Sequence, residues 1–303
     1  MSHRYYLIDH AGGPRRRPTI TATAEVTVRH TEGPLVTPDG ATLWLRRWEP
    51  EGEVRAAIAL VHGLGEHCGR YDHLSRRLTD AGHALAAFDL RGHGRSTGRR
   101  GDTRLEATLD DVDRLLGALS TAHTGAPLFL YGHSLGALVV LTYVIRRRPV
   151  LAGAVVSAPP LRNALRRQRA KLLVARVLGR VLPGLTLSTG LDAAALSRDP
   201  AVVAAYLADP LVHHSASLGL ARDSLAATEA VDAATALGVP LLIVHGTDDR
   251  LAYIDGSRQL ARRLRGDVTC REYAGLRHEP HNEPERDEVI DDVIAWLRRH
   301  AVS

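Results

Sequence analysis

The pentapeptide Gly132-His133-Ser134-Leu135-Gly136 lies between an apolar run, Pro127 to Tyr131, and a helix-like run, Ala137 to Arg147. Strand, sharp turn and helix in that order leave few folds open. A serine on such a turn sits where a larger neighbour would clash, and the flanking glycines remove the side chains that would block it. Ser134 is pushed outward, and the backbone N–H of Leu135 points at charge developing in front of it. Other apolar runs repeat the theme: Ala56 to Val61, Ala84 to Asp89, Ala152 to Ser157, Pro240 to His245 and Val268 to Tyr273. Continuous runs of this length suit strands buried on both faces. Helical periodicity falls between them, so the chain is predicted to be α/β, with a mostly parallel central sheet flanked by helices.

Two segments depart from this rhythm. Val26-Thr27-Val28 and Leu43-Trp44-Leu45, with Pro38-Asp39-Gly40 as a turn, predict an antiparallel hairpin at the sheet edge. Between Leu161 and Leu218 no strand is predicted; the segment reads as helical or irregular, punctuated by Pro183-Gly184 and Asp199-Pro200. The expected organisation is a flexible tail over 1–24, a core over 25–160 and 219–303, and an inserted, mainly helical cap over 161–218.

Composition narrows the function classes. The formal charge is +5, Lys171 is the only lysine among many arginines, and aromatic residues make up 4% of the chain. No aromatic-interleaved basic strip or nucleic-acid module is present, so no nucleic-acid partner is expected. No run reaches the ~18 apolar residues of a membrane span. Arg15-Arg16-Arg17 is followed by Pro18-Thr19-Ile20-Thr21 rather than an apolar stretch, which is unlike a secretory leader. A cytoplasmic location is expected, with peripheral, transient membrane contact. Cys68 and Cys270 do not make a disulfide framework and are expected as free thiols, Cys68 being open to thiol reagents.

Serine needs a histidine to take its proton and a carboxylate to hold that histidine. Asp248 and Asp249 follow one apolar run, and His278 and His281 follow the next. Either aspartate is available on position alone. His278 comes sooner after its strand, which leaves His281 at the surface or packed behind it. A zinc site at His278-Glu279-Pro280-His281 is disfavoured, because the proline spoils a helical presentation and no third ligand is indicated. The second oxyanion donor is assigned to Leu64, in the glycine-bearing loop His62 to His67. Arg91-Gly92-His93-Gly94 is read as holding loop geometry near the site. Ser134 argues against a carboxylate nucleophile at the elbow, as in haloalkane dehalogenases and epoxide hydrolases.

His62-Gly63-Leu64-Gly65-Glu66-His67, Asp89 to Ser96, Gly132 to Gly136 and Ser197-Arg198-Asp199-Pro200 together resemble the monoacylglycerol lipase and lysophospholipase-type branch of the α/β-hydrolases. The resemblance runs from about Val28 to the C-terminus. It implies an acid in a Gly-x-x-Asp-Arg segment, which selects Asp249, and a histidine in a Gly-x-x-His step, which selects His278. Leu135 departs from the Met of many members but keeps the backbone donor. The implied function is a serine hydrolase cleaving monoacylglycerols to fatty acid and glycerol through an acyl-enzyme, with no cofactor and no metal. Lysophospholipase, carboxylesterase or thioesterase activity is the alternative, and a noncatalytic lipid-binding protein is the remaining one. Leu173, Val177 and Leu178 are the cap candidates for substrate contact. Flanking arginines give the cap a basic amphipathic character suited to a lid or to a lipid surface.

Overall fold

A computed structural model describes residues 29–163 and 176–301. The expected strand Val26-Thr27-Val28 and the candidate Leu173 lie outside these. The strands are β1 (Arg29–Val36), β2 (Thr42–Glu49), β3 (Ala56–Val61), β4 (His83–Phe88), β5 (Leu128–His133), β6 (Gly153–Ser157), β7 (Thr186–Ser188), β8 (Ser215–Ser217), β9 (Leu241–Gly246) and β10 (Val268–Tyr273). The helices are α1 (Asp72–Asp80), α2 (Leu105–Ala122), α3 (Leu135–Arg147), α4 (Pro200–Ala208), α5 (Leu218–Ala233), α6 (Asp255–Arg263) and α7 (Arg286–His300).

Eight strands form one sheet in the order β1-β2-β4-β3-β5-β6-β9-β10. β1, β2 and β4 pair antiparallel, and every other pair is parallel. The apolar runs explain this directly. Every residue of β3 and β4 is buried, and successive side chains of β3 enter two different cores. Ala57, Ala59 and Val61 pack with residues of α2, α3, α5 and α6; Ala56, Ile58 and Leu60 pack with α1 and α7. Because β4 and β5 flank β3 on opposite sides, the chain reverses its winding there. Such a switch leaves a crevice at the carboxyl ends of the strands.

The segment between β6 and α5 corrects one expectation. It contains a two-stranded antiparallel sheet, β7 with β8, in addition to helical residues 176–181, a 3-10 turn at Ala193–Ala195, and α4. Asp199 caps α4 by accepting the Ala201 N–H, and Pro200 occupies the first turn, where its missing N–H costs nothing. This segment seats on the loop after β3. The His213 N–H donates to the Gly65 carbonyl at 2.8 Å, and a Cβ on Gly65 (φ 81°) would lie 2.3 Å from the His213 oxygen. His67 pairs with Asp209 at 2.8 Å, and the Arg70 guanidinium lies 4.8 Å above the Tyr206 ring. Among the described residues, no helix is long and apolar enough to cross a membrane.

Candidate active site

β5 ends at His133 and α3 begins at Leu135, so Ser134 alone makes the turn. Its backbone has φ 51° and ψ −116°, a conformation that L-residues rarely adopt and that tends to mark functional turns. The flanking glycines are required sterically. A Cβ on Gly132 would lie 2.4 Å from the Gly136 carbonyl oxygen, and one on Gly136 would lie 2.0 Å from that of Val61. The elbow therefore rests on the end of β3. Leu135 opens α3, so its N–H is one of the first-turn donors that the helix itself leaves unsatisfied.

Ser134, His278 and Asp249 are brought into one hydrogen-bonded line. His278 Nε2 lies 2.9 Å from Ser134 Oγ, and His278 Nδ1 lies 2.7 Å from Asp249 Oδ2. A carboxylate can only accept, so Nδ1 carries the proton and Nε2 presents its lone pair to the serine hydroxyl. Asp249 is held firmly: Oδ1 accepts the Leu251 and Ala252 N–H groups at 2.8 and 2.9 Å. A second imidazole, His245, lies 3.1 Å from Oδ2. Its Nε2 is also 2.8 Å from the Ala252 carbonyl, and its Nδ1 is 2.7 Å from Ser257 Oγ. The carbonyl requires that Nε2 carry the proton, so His245 donates toward the carboxylate. In the sequence His245 reads only as the end of an apolar strand. A histidine four positions before the acid was the available signal.

Burial opposes charge on Asp249. The imidazole of His278, then the hydrogen bonds from His245 and His278, outweigh it and hold the carboxyl well below its usual range. Burial likewise opposes charge on His278, but the Asp249 carboxylate overcomes it and raises the imidazole pKa. The base form is the unprotonated one, so a raised pKa moves acid inactivation to higher pH. The acid limb of kcat/KM is expected to have its midpoint above the ordinary histidine value of about 6.5. A pH profile with a midpoint at or below that value would contradict the assignment of His278 as base.

Asp248 stands outside this line; its N–H donates to the Leu276 carbonyl at 3.0 Å. His281 is buried rather than exposed. It stacks on Tyr71 with ring centroids 4.9 Å apart and meets His133 edge-on at 4.8 Å. Burial holds its pKa down at about 4, against the pull of Glu279, so it is neutral behind the site. Cys68 is also buried, in the 3-10 turn before α1, which corrects the expectation of an accessible thiol. Burial pushes its pKa well above the ordinary value, which leaves the thiol inert.

The loop after β3 is organised by Glu66. Its Oε1 accepts the Gly63 N–H and the Tyr71 hydroxyl, both at 2.6 Å, and its Oε2 meets Arg70 at 2.6 Å. Three donors thus converge on this one side chain. Arg70 also forms a bidentate pair with Glu279 at 2.7 and 2.8 Å. Burial works against the Glu279 carboxylate, but Arg70 outweighs it and holds the pKa down at about 2. Behind the loop, Asp89 accepts the Cys68 and Arg95 N–H groups, and Arg91 bridges Asp111 and Asp39. The 91–94 turn thus holds loop geometry.

A cavity of about 100 Å³ opens in front of Ser134 and His278. Its lining includes the polar Glu66, Arg70 and Glu279 beside Gly63, and the apolar Leu64, Leu191, Leu196 and Leu251 with Tyr206. Leu191 also lines a second, solvent-open hollow of about 490 Å³, with Ala193, Val203 and Leu207. Val177 and Leu178 do not line either cavity. They are 51% and 38% exposed, because helical residues 176–181 turn them toward solvent. Among the described residues, no group of three or more His, Cys, Asp or Glu side chains could hold a metal ion.

The sheet order, the flanking helices and the serine elbow define an α/β-hydrolase. The profile of the serine aminopeptidase family, S33, matches residues 52–285. The chain is 41% identical over 257 residues to a monoacylglycerol lipase of Mycolicibacterium smegmatis, covering 84% of this chain and 91% of that one. It is 37% identical over 269 residues to an uncharacterized abhydrolase domain-containing protein of Dictyostelium discoideum, covering 87% of this chain but 28% of that longer protein. The crystal structure of a Paleococcus ferrophilus monoacylglycerol lipase superposes with a TM-score of 0.79 at 38% identity, over 85% of this chain and 99% of that one. The chain belongs to the monoacylglycerol lipase and lysophospholipase-type branch of the α/β-hydrolases, and it is a carboxylic ester hydrolase.

Proposed function

We propose that this enzyme hydrolyses monoacylglycerols to glycerol and fatty acid, with Ser134 as nucleophile, His278 as general base and acid, and Asp249 as the orienting carboxylate. The observation that carries the reading is the hydrogen-bonded line from Ser134 to Asp249, opening onto a cavity lined by both polar and apolar side chains. Ser134 Oγ adds to the ester carbonyl as His278 Nε2 takes its proton. The Leu64 and Leu135 N–H groups hold the oxyanion. The intermediate collapses, the glycerol oxygen leaves with the proton from His278, and an acyl-enzyme remains. Water then adds with His278 again as base, and the fatty acid departs.

The cavity walls favour a neutral, hydroxyl-bearing headgroup. Glu66 and Glu279 set two carboxylates against the single Arg70 guanidinium. With that guanidinium paired to both carboxylates, this wall offers no unpaired cation to the phosphate of a lysophospholipid. The acyl chain would pass Leu191 into the larger hollow, with residues 161–218 acting as the lid. The same segment carries exposed Val181, Leu182 and Leu187 beside Arg176 and Arg180. A cytoplasmic enzyme making transient contact with a lipid surface through this face fits such a substrate.

The test is glycerol release from monoacylglycerols of graded chain length, dispersed and in anionic vesicles, beside lysophosphatidylcholine and aminoacyl p-nitroanilides. Until the apolar path is filled, each buried methylene contributes about 0.8 kcal/mol, so kcat/KM is expected to rise up to roughly fourfold per methylene. A flat chain-length profile, or faster turnover of lysophosphatidylcholine or the anilides, would sink the reading.

A further inference from the structure

The segment Ser197-Arg198-Asp199-Pro200 belongs to the cap, yet its contacts lead to the loop that carries His278. The His278 N–H faces the Ala195 carbonyl at 3.4 Å, and the Glu279 N–H donates to that of Leu196 at 2.9 Å. Arg277 Nη1 donates to the Ala194 and Ser197 carbonyls at 2.6 and 3.0 Å. From the cap side, Ser197 Oγ donates to the Asn282 carbonyl at 2.9 Å. The two sides meet at Glu283, a carboxylate with no exposed surface. Its Oε1 accepts the Arg277 N–H at 2.6 Å, and its Oε2 accepts both the N–H and the Nε–H of Arg198 at 3.1 Å. One oxygen therefore grips the residue before His278, and the other grips the cap.

We propose that Glu283 and Arg198 are positioning residues that clamp the His278 loop to the base of the cap, so that this part of the cap belongs to the catalytic apparatus rather than to a movable lid. The proposal rests on the assignment of His278 as the base for Ser134. A buried carboxylate that receives three donors from two segments fixes both, because losing either partner leaves charge or N–H groups uncompensated. The backbone on each side of His278 is then tied down while the imidazole alone reaches forward. A proton transfer over a 2.9 Å contact is sensitive to displacements well below 1 Å.

The experiment follows covalent labelling of Ser134 by a fluorophosphonate, reading both the rate constant and the final labelled fraction, alongside kcat and KM. Labelling requires His278 to take the serine proton, so its rate constant reports the placement of the base in molecules that are folded. A merely structural role would lower the final fraction and leave the rate constant alone. For Glu283→Gln, the rate constant and kcat are expected to fall on the order of 10- to 100-fold, with KM within about twofold and labelling still running to completion. Arg198→Ala, at a partly exposed position, is expected to lose about tenfold, and Arg198→Lys to recover most of that. Should Glu283→Gln not fold, the Arg198 pair decides alone. Wild-type rate constants in the variants, or a loss confined to the labelled fraction, would overturn the clamp. Failure of the wild-type enzyme to label would instead remove the reading of Ser134 on which the clamp stands.

Discussion

Ser134→Ala is expected to lower kcat for ester hydrolysis on the order of 10⁶-fold while leaving the fold intact. The hydroxyl is the only group at the elbow that can form the acyl bond, and Cys68, the nearest thiol in sequence, is buried and held protonated. Binding and the oxyanion donors would still give a small residual rate. Stability responds in a diagnostic way. Ser134 holds φ 51°, and alanine inherits that strain, so Ser134→Ala is expected to unfold within about 1 kcal/mol of wild type. Ser134→Gly is equally inactive but relieves the strain, and is expected to be about 1 kcal/mol more stable than Ser134→Ala. Denaturant unfolding of the two variants checks this. Equal stabilities would show that the turn is not strained by its Cβ.

Asp249→Asn is expected to lower kcat on the order of 10⁴-fold, and the surroundings of the carboxylate give the reason. Two backbone N–H groups, of Leu251 and Ala252, converge on Oδ1. An asparagine must place its oxygen there, and its NH₂ then faces His278 Nδ1 and His245 Nε2. His278 can answer only by moving its proton to Nε2, which removes the lone pair that Ser134 needs. His245 is worse placed, because the Ala252 carbonyl requires its Nε2 proton, and donor then faces donor. A stability loss of about 1–3 kcal/mol should therefore accompany the loss of activity. Steady-state kinetics and thermal unfolding measured on the same preparation test both parts. Retention of more than about a tenth of wild-type kcat would refute the assigned tautomer.

The features legible in the sequence are those written in local chemistry. Central strands such as β3 and β4 are buried on both faces and therefore appear as unbroken apolar runs. The elbow is legible because only glycine fits at 132 and 136 against the backbone of 136 and 61. Asp249 and His278 follow strands that are neighbours in the sheet, so far-apart sequence positions converge at one sheet edge. What escaped notice depends on tertiary partners. β7 and β8 are three residues each, carry no apolar run, and exist by pairing with one another. Glu283 becomes informative only once Arg198 is beside it, and the role of His245 rests on its contact with Asp249. The place of Cys68 next to a loop predicts an accessible thiol, but the turn Cys68–Tyr71 folds it beneath the sheet with Tyr71 and Leu74. Val177 and Leu178 have the composition of a pocket wall, yet composition does not say which way a helix faces.

The most direct test of the account is glycerol release from a long-chain monoacylglycerol by the wild-type enzyme and by Ser134→Ala, assayed side by side at equal folded concentration. Sustained turnover is expected for wild type and none above background for the variant. Turnover of only short activated esters by wild type would contradict the substrate, and undiminished release by Ser134→Ala would contradict the mechanism.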